Sequence, residues 1–63
     1  MSLYEINQLI EIVNHSEPAC NGQLGTIVAI EYGYDGVTPF YSVLMEEQED
    51  MYCLCTEDEI MEA

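Results

Sequence analysis

The chain has 63 residues, 13 of them Asp or Glu, no Lys or Arg, and a formal net charge of -13. Its charged fraction of 21% is close to the ~25% of ordinary soluble domains, so the sign of the charge departs from the norm and its amount does not. That sign excludes binding DNA, RNA or an anionic membrane through phosphate neutralisation, which needs cations to release counterions, and it excludes a Walker-type phosphate loop, which ends in Lys.

The length sets one small domain that buries about 60% of its unfolded surface. With 49% hydrophobic residues it is expected to fold, because acidic disordered tails combine high charge with low hydrophobicity. No apolar run reaches the roughly 20 residues of a membrane span, and no basic segment opens a signal peptide, so a cytoplasmic location is expected. Cys20, Cys53 and Cys55 are an odd number and too few for a disulfide scaffold. In that compartment they read as three small apolar side chains.

Residues 3–13 fit two patterns. Leu3, Ile6, Leu9, Ile10 and Val13 make a helical stripe, while Leu9, Ile10, Ile12 and Val13 make a buried strand entered from a turn at Asn7 and Gln8. Asn14, Ser16, Pro18, Asn21 and Gly22 then mark a loop. Residues 24–32 are β-branched and apolar and read as a strand, 33–39 as a Gly- and Pro-containing loop, and 40–45 as an alternating, half-buried strand. Residues 46–50 form a polar turn and 51–56 the returning strand of a hairpin. Glu57, Asp58 and Glu59 read as one helical turn before a last short strand at Ile60 and Met61. About five short strands with no room for a crossover helix must curl to hide their edges, in one all-β unit over residues 1–63.

The order of these segments resembles the small SH3-like barrels, including those with a KOW-type motif. An opening strand at residues 6–13, a Gly-x-x-Gly-x-[Ile/Val]-[Ile/Val] element at Gly22, Gly25, Ile27 and Val28, an aromatic-x-Val strand at Tyr41 to Val43, and an acidic turn at residues 57–60 carry the likeness across nearly the whole chain. The resemblance implies a five-stranded barrel with one short helical turn, in which Gly25 accommodates a bend or bulge. Many relatives of that kind bind RNA, ribosomes or polymerases through basic loops. This chain has no basic residues, so the resemblance extends to fold and not to nucleic-acid binding.

The carboxylates are grouped. Glu46, Glu47, Glu49 and Asp50 lie within five residues, and Glu57, Asp58, Glu59 and Glu62 within six. A solvated polar surface is one use for them, but mixed signs would serve solubility as well and like charges repel. The other use is a nucleic-acid mimic. Alternate strand residues stand roughly 6.6 Å apart, a spacing similar to that of phosphates, and any Lys or Arg would weaken the field such a row offers to a basic groove. In charge and size the chain is similar to the acidic inhibitors that phages deploy against restriction or CRISPR enzymes. Crowding also predicts raised carboxyl pKa values and stability that falls as pH rises.

Other chemistry is not expected. The acidic turn at 46–50 lacks the central Gly and spacing of an EF-hand. Cys53 and Cys55 are closer in sequence than the usual zinc pair, so His15, Cys20, Cys53 and Cys55 are not assigned a metal, and no cofactor is expected. His15, Ser16 and Glu17 are sequence neighbours, which a catalytic triad does not require, and read as loop residues of a chain that is not an enzyme. Phe40 and Tyr52 are expected in the core or across the hairpin, and Tyr32, Tyr34 and Tyr41 beside the Gly-containing loop. The expected partner is a basic nucleic-acid-binding protein, contacted by Glu46, Glu47, Glu49, Asp50, Glu57, Asp58 and Glu59 with Tyr34 and Tyr41 as anchors, and with self-association into a homodimer as a further expectation. The competing expectation is a small phage or bacterial structural or adaptor protein whose acidity serves solubility.

Overall fold

The computed structural model describes residues 4–48 and 50–63. The fold is all-β: β1 (Leu9–Ile12), β2 (Leu24–Tyr32), β3 (Pro39–Met45), β4 (Tyr52–Cys55) and β5 (Ile60–Glu62) form one antiparallel sheet in the order β4-β3-β2-β1-β5. A 3-10 turn at Glu57–Glu59 leads from β4 into β5. These elements match the sequence expectation of five strands and one helical turn.

Period-two alternation settles the ambiguous first segment. Ile10 and Ile12 are fully buried, whereas Ile6, Leu9 and Val13, members of the helical stripe, are exposed. The chain enters β1 through a turn in which Gln8 N–H donates to the Glu5 carbonyl at 3.2 Å. Asn7 in that turn has φ of 75°, a left-handed conformation that Asn tolerates better than a branched residue. Strand β3 alternates without interruption, sending Tyr41, Val43 and Met45 into the core. With Ile10, Ile12, Ile27, Cys20, Cys53, Cys55 and Ile60 they make a single apolar cluster.

Two expectations need correction. The bulge in β2 lies between Ile27 and Ala29, which pair with Val43 and Ser42, so Val28 is the extra residue and Gly25 is not. Gly25 answers a different demand. Its position faces Val43 and the Leu44 carbonyl so closely that a Cβ there would sit 2.8 Å from Leu44 O and closer still to the Val43 side chain. The second correction concerns the cysteines. Cys20 and Cys53 form a disulfide across a sequence separation of 33, with Cα atoms 6.5 Å apart, while Cys55 is a free, buried thiol. The long loop between β1 and β2 folds back across β4 and brings Cys20 to Cys53, a proximity that sequence spacing does not reveal.

Candidate protein-binding surface

The acidic residues expected to meet a partner fall on two turns at opposite ends of β4. Glu46, Glu47 and Asp50 are exposed on the β3–β4 turn, and Glu49 lies outside the described residues. Glu57, Asp58 and Glu59 occupy the 3-10 turn, with Asp58 exposed and its two neighbours half-buried. The four-residue strand between the turns spans three steps, about 10 Å. Two of these carboxylates also have work inside the fold. Glu57 Oε1 accepts from the Tyr41 hydroxyl at 3.5 Å, and Glu59 Oε1 accepts from Thr56 N–H at 2.8 Å, which fixes the start of the turn as a capping glutamate does.

Tyr41 does not fit the role of an anchor. It is 0% exposed, at the centre of the core. Its ring meets that of Tyr4 edge-on at 5.5 Å, and the inward register of β3 leaves it no route to a partner. Tyr52 takes the second of its two expected places, across the hairpin from Leu44, and not the core, since it is 61% exposed. The cause is the alternation of β4: with Cys53 and Cys55 inward, Tyr52 and Leu54 must point outward. That pattern was readable in the order Tyr-Cys-Leu-Cys once both cysteines were placed in the core.

Together these positions form an apolar outer face. The ladders place Leu9 beside Thr26, Thr26 beside Leu44 and Leu44 beside Tyr52, so one row crosses β1, β2, β3 and β4. Exposed Leu24, Leu54 and Met61 extend it on β2, β4 and β5. Glu11 stands between Leu24 and Met61 in register. This face therefore exposes Leu9, Leu24, Tyr52, Leu54 and Met61 to solvent, interrupted by Glu11 and Thr26.

Tyr34, the other expected anchor, protrudes fully at 114% relative exposure. It lines an open cleft of about 590 Å³ on the loop between β2 and β3, with Tyr32, Gly33, Asp35, Thr38 and Phe40. The loop is organised around Asp35. Its Oδ1 accepts from Val37 N–H and Thr38 N–H, each at 2.9 Å, and its Oδ2 accepts from the Thr38 hydroxyl. These donors, the Thr38 hydroxyl first, lower the Asp35 pKa to about 2, because hydrogen bonds to the charged form favour it. Gly36, with φ of 73°, provides the left-handed residue that closes the loop.

A third group lies where the β1–β2 loop crosses β4. Ligand-type atoms of His15, Cys55 and Glu59 lie within 4.8 Å of one another, whereas Cys20 and Cys53, the other members of the sequence-derived set, are joined in the disulfide. His15 already uses both ring nitrogens, Nε2 with the Leu54 carbonyl at 2.8 Å and Nδ1 accepting from Glu17 N–H at 2.9 Å. Coordination would have to break one of those bonds, and as it stands His15 ties the loop to β4 through the Leu54 carbonyl. Burial and then the Glu59 carboxylate push the Cys55 thiol up to about 11.

No helix among the described residues is long and apolar enough to cross a membrane. Comparison with protein-family models, with curated proteins and with solved structures finds no match to this chain.

Proposed function

We propose that this chain is an acidic protein-binding domain of the SH3-like type, without enzymatic activity, that occupies the basic nucleic-acid-binding surface of a target protein in the manner of anti-restriction or anti-CRISPR inhibitors. The strand order β4-β3-β2-β1-β5 and the 3-10 turn before β5 support the SH3-like reading. The observation that carries the function is a combination: an outer sheet face of exposed Leu, Tyr and Met residues, flanked by carboxylate turns, in a chain without Lys or Arg. Apolar contacts supply affinity, and an unopposed negative field steers and selects a basic partner.

The separation of the acidic turns by β4 favours a second reading, a small structural or adaptor protein whose acidity serves solubility. Competition distinguishes the two. The immobilised protein is incubated with bacterial lysate at low salt, and duplex DNA is then added. A decoy releases its retained nucleic-acid-binding proteins to DNA and to high salt. If the retained proteins stay bound in excess DNA, or do not bind nucleic acid, the decoy reading fails.

A further inference from the structure

The cleft between β2 and β3 has a composition that the carboxylate turns lack. Three aromatic rings, Tyr32, Tyr34 and Phe40, line it together with the Asp35 carboxylate. The frame is built rather than loose. Gly33 N–H donates to the Thr38 carbonyl and Gly36 N–H to the Gly33 carbonyl, both at 2.9 Å. Asp35 takes its three donors from within the same loop. The Phe40 ring lies over Gly33 so closely that a Cβ on Gly33 would meet Phe40 Cε2 at 3.0 Å. Glu31, the register partner of Phe40, adds a second exposed acid nearby.

Aromatic faces beside a carboxylate attract a cation that also has a flat, weakly hydrated body, because ring quadrupole and charge act on it together. A guanidinium meets that description better than an ammonium, since it is planar, weakly hydrated and stacks on rings, while the Asp35 carboxylate, already bonded within its loop, acts on it through charge. The cleft volume is within the range of about 300–1,000 Å³ of ligand sites. The chain itself has no Lys or Arg, and its one His is held by Leu54 and Glu17. Neither this molecule nor a second copy can therefore fill the cleft with its own Lys or Arg. We propose that the Tyr32, Tyr34, Phe40 and Asp35 cleft receives an arginine side chain from the basic partner protein. This rests on the reading of the chain as a ligand for basic proteins and names a point of contact within that interface.

The test uses the intact protein and three capped tripeptides, Gly-Arg-Gly, Gly-Lys-Gly and Gly-citrulline-Gly, titrated while backbone amide resonances are followed. The arginine peptide is expected to give saturable shifts at Gly33, Tyr34, Gly36 and Thr38, with binding at least fivefold tighter than either other peptide. Tyr34→Ala, at a fully exposed position that leaves the core intact, is expected to weaken the arginine peptide at least fivefold. Asp35→Asn is expected to reduce the preference for arginine over citrulline. Equal binding of the citrulline or lysine peptide, or an unchanged affinity in Y34A, overturns the proposal. Shifts confined to Glu46, Glu47, Glu57 and Asp58 also overturn the cleft assignment while leaving the acidic-ligand reading standing, and failure of that broader reading is registered separately by the DNA competition.

Discussion

The imidazole of His15 is bonded at 2.8 Å to the main-chain carbonyl of Leu54, 39 residues further along the chain. Because Nδ1 accepts the Glu17 N–H, the ring proton resides on Nε2 and is donated to Leu54. Leu54 lies on β4, an edge of the sheet, where free carbonyls invite pairing with another chain. One residue earlier, Cys53 is covalently joined to Cys20 of the same loop. The β1–β2 loop is thus fastened to the edge strand at two successive positions.

The covalent fastening is expected to dominate. Closing a loop across a separation of 33 residues removes denatured-state entropy worth roughly 3.5–4 kcal/mol in the chain-entropy account. In a domain of this size that corresponds to a fall in Tm on the order of 15 °C or more. Thermal unfolding with and without dithiothreitol, repeated on C20S, measures it, and C20S should be insensitive to the reductant. His15→Ala removes one hydrogen bond and is expected to cost about 1 kcal/mol. A reduced protein as stable as the oxidised one would contradict the assignment of the bond.

Gly25 gives the opposite of the usual glycine result. Gly in a strand interior is ordinarily a weakness of about 0.5–1 kcal/mol relative to Ala. Here the methyl group of Ala would stand 2.8 Å from the Leu44 carbonyl and collide with Val43, so β2 and β3 must separate. Gly25→Ala is expected to destabilise by about 1–3 kcal/mol, the range of overpacking. Urea denaturation decides it, and a neutral or stabilising G25A would show that the strands have room to give.

Most of the fold was legible because alternation and turn chemistry are local. The run from Leu24 to Tyr32 and the helical turn at Glu57–Glu59 are where pattern reading puts them, and the loop expected at 33–39 ends one residue sooner because Pro39 opens β3. The misassignments arise where a second chain segment intervenes. Tyr41 reads as a contact anchor beside the Gly-containing loop, yet register with Cys55 on β4 turns it inward. Cys20 reads as an isolated apolar residue until the loop carries it to Cys53. The candidate cleft is half visible in the sequence: Tyr32 and Tyr34 stand beside the Gly-containing loop, whereas nothing local brings Asp35 and Phe40 to them. What joined them is the hydrogen-bonded closure of the loop on Asp35.

Asp35 makes the pH dependence of that loop specific. Its carboxyl pKa is lowered from 3.8 to about 2, chiefly by the Thr38 hydroxyl and then by the Thr38 and Val37 amides. A depressed folded value means that the contribution to stability is fully present above the ordinary pKa and lost as pH falls through about 2. The loop should hold at pH 4 and loosen below pH 3. Following the Asp35 side-chain carboxyl carbon together with the Val37 and Thr38 amides should give one common midpoint near 2. A midpoint at or above the ordinary value would mean that the three donors do not hold the carboxylate in solution.

Cys55 offers a direct check on the packing beneath β4. It is 0% exposed, and burial followed by the Glu59 carboxylate pushes its pKa up to about 11. At pH 8 the folded thiolate fraction is then about one in a thousand, against roughly a quarter for an ordinary thiol with pKa near 8.5. With Cys20 and Cys53 joined, it is the free thiol of the oxidised chain, so alkylation by iodoacetamide reports on it alone. Native protein is expected to react on the order of 100-fold more slowly than urea-unfolded protein at the same pH. Because the folded value is raised, its contribution to stability is present below the unfolded thiol pKa and is lost as pH rises towards 11. In Cys55→Ser the alkylation signal should vanish, and the hydroxyl buried in place of the thiol should lower stability. Rapid labelling of the native oxidised protein at pH 8 would instead place this thiol at the surface and contradict its burial beneath β4.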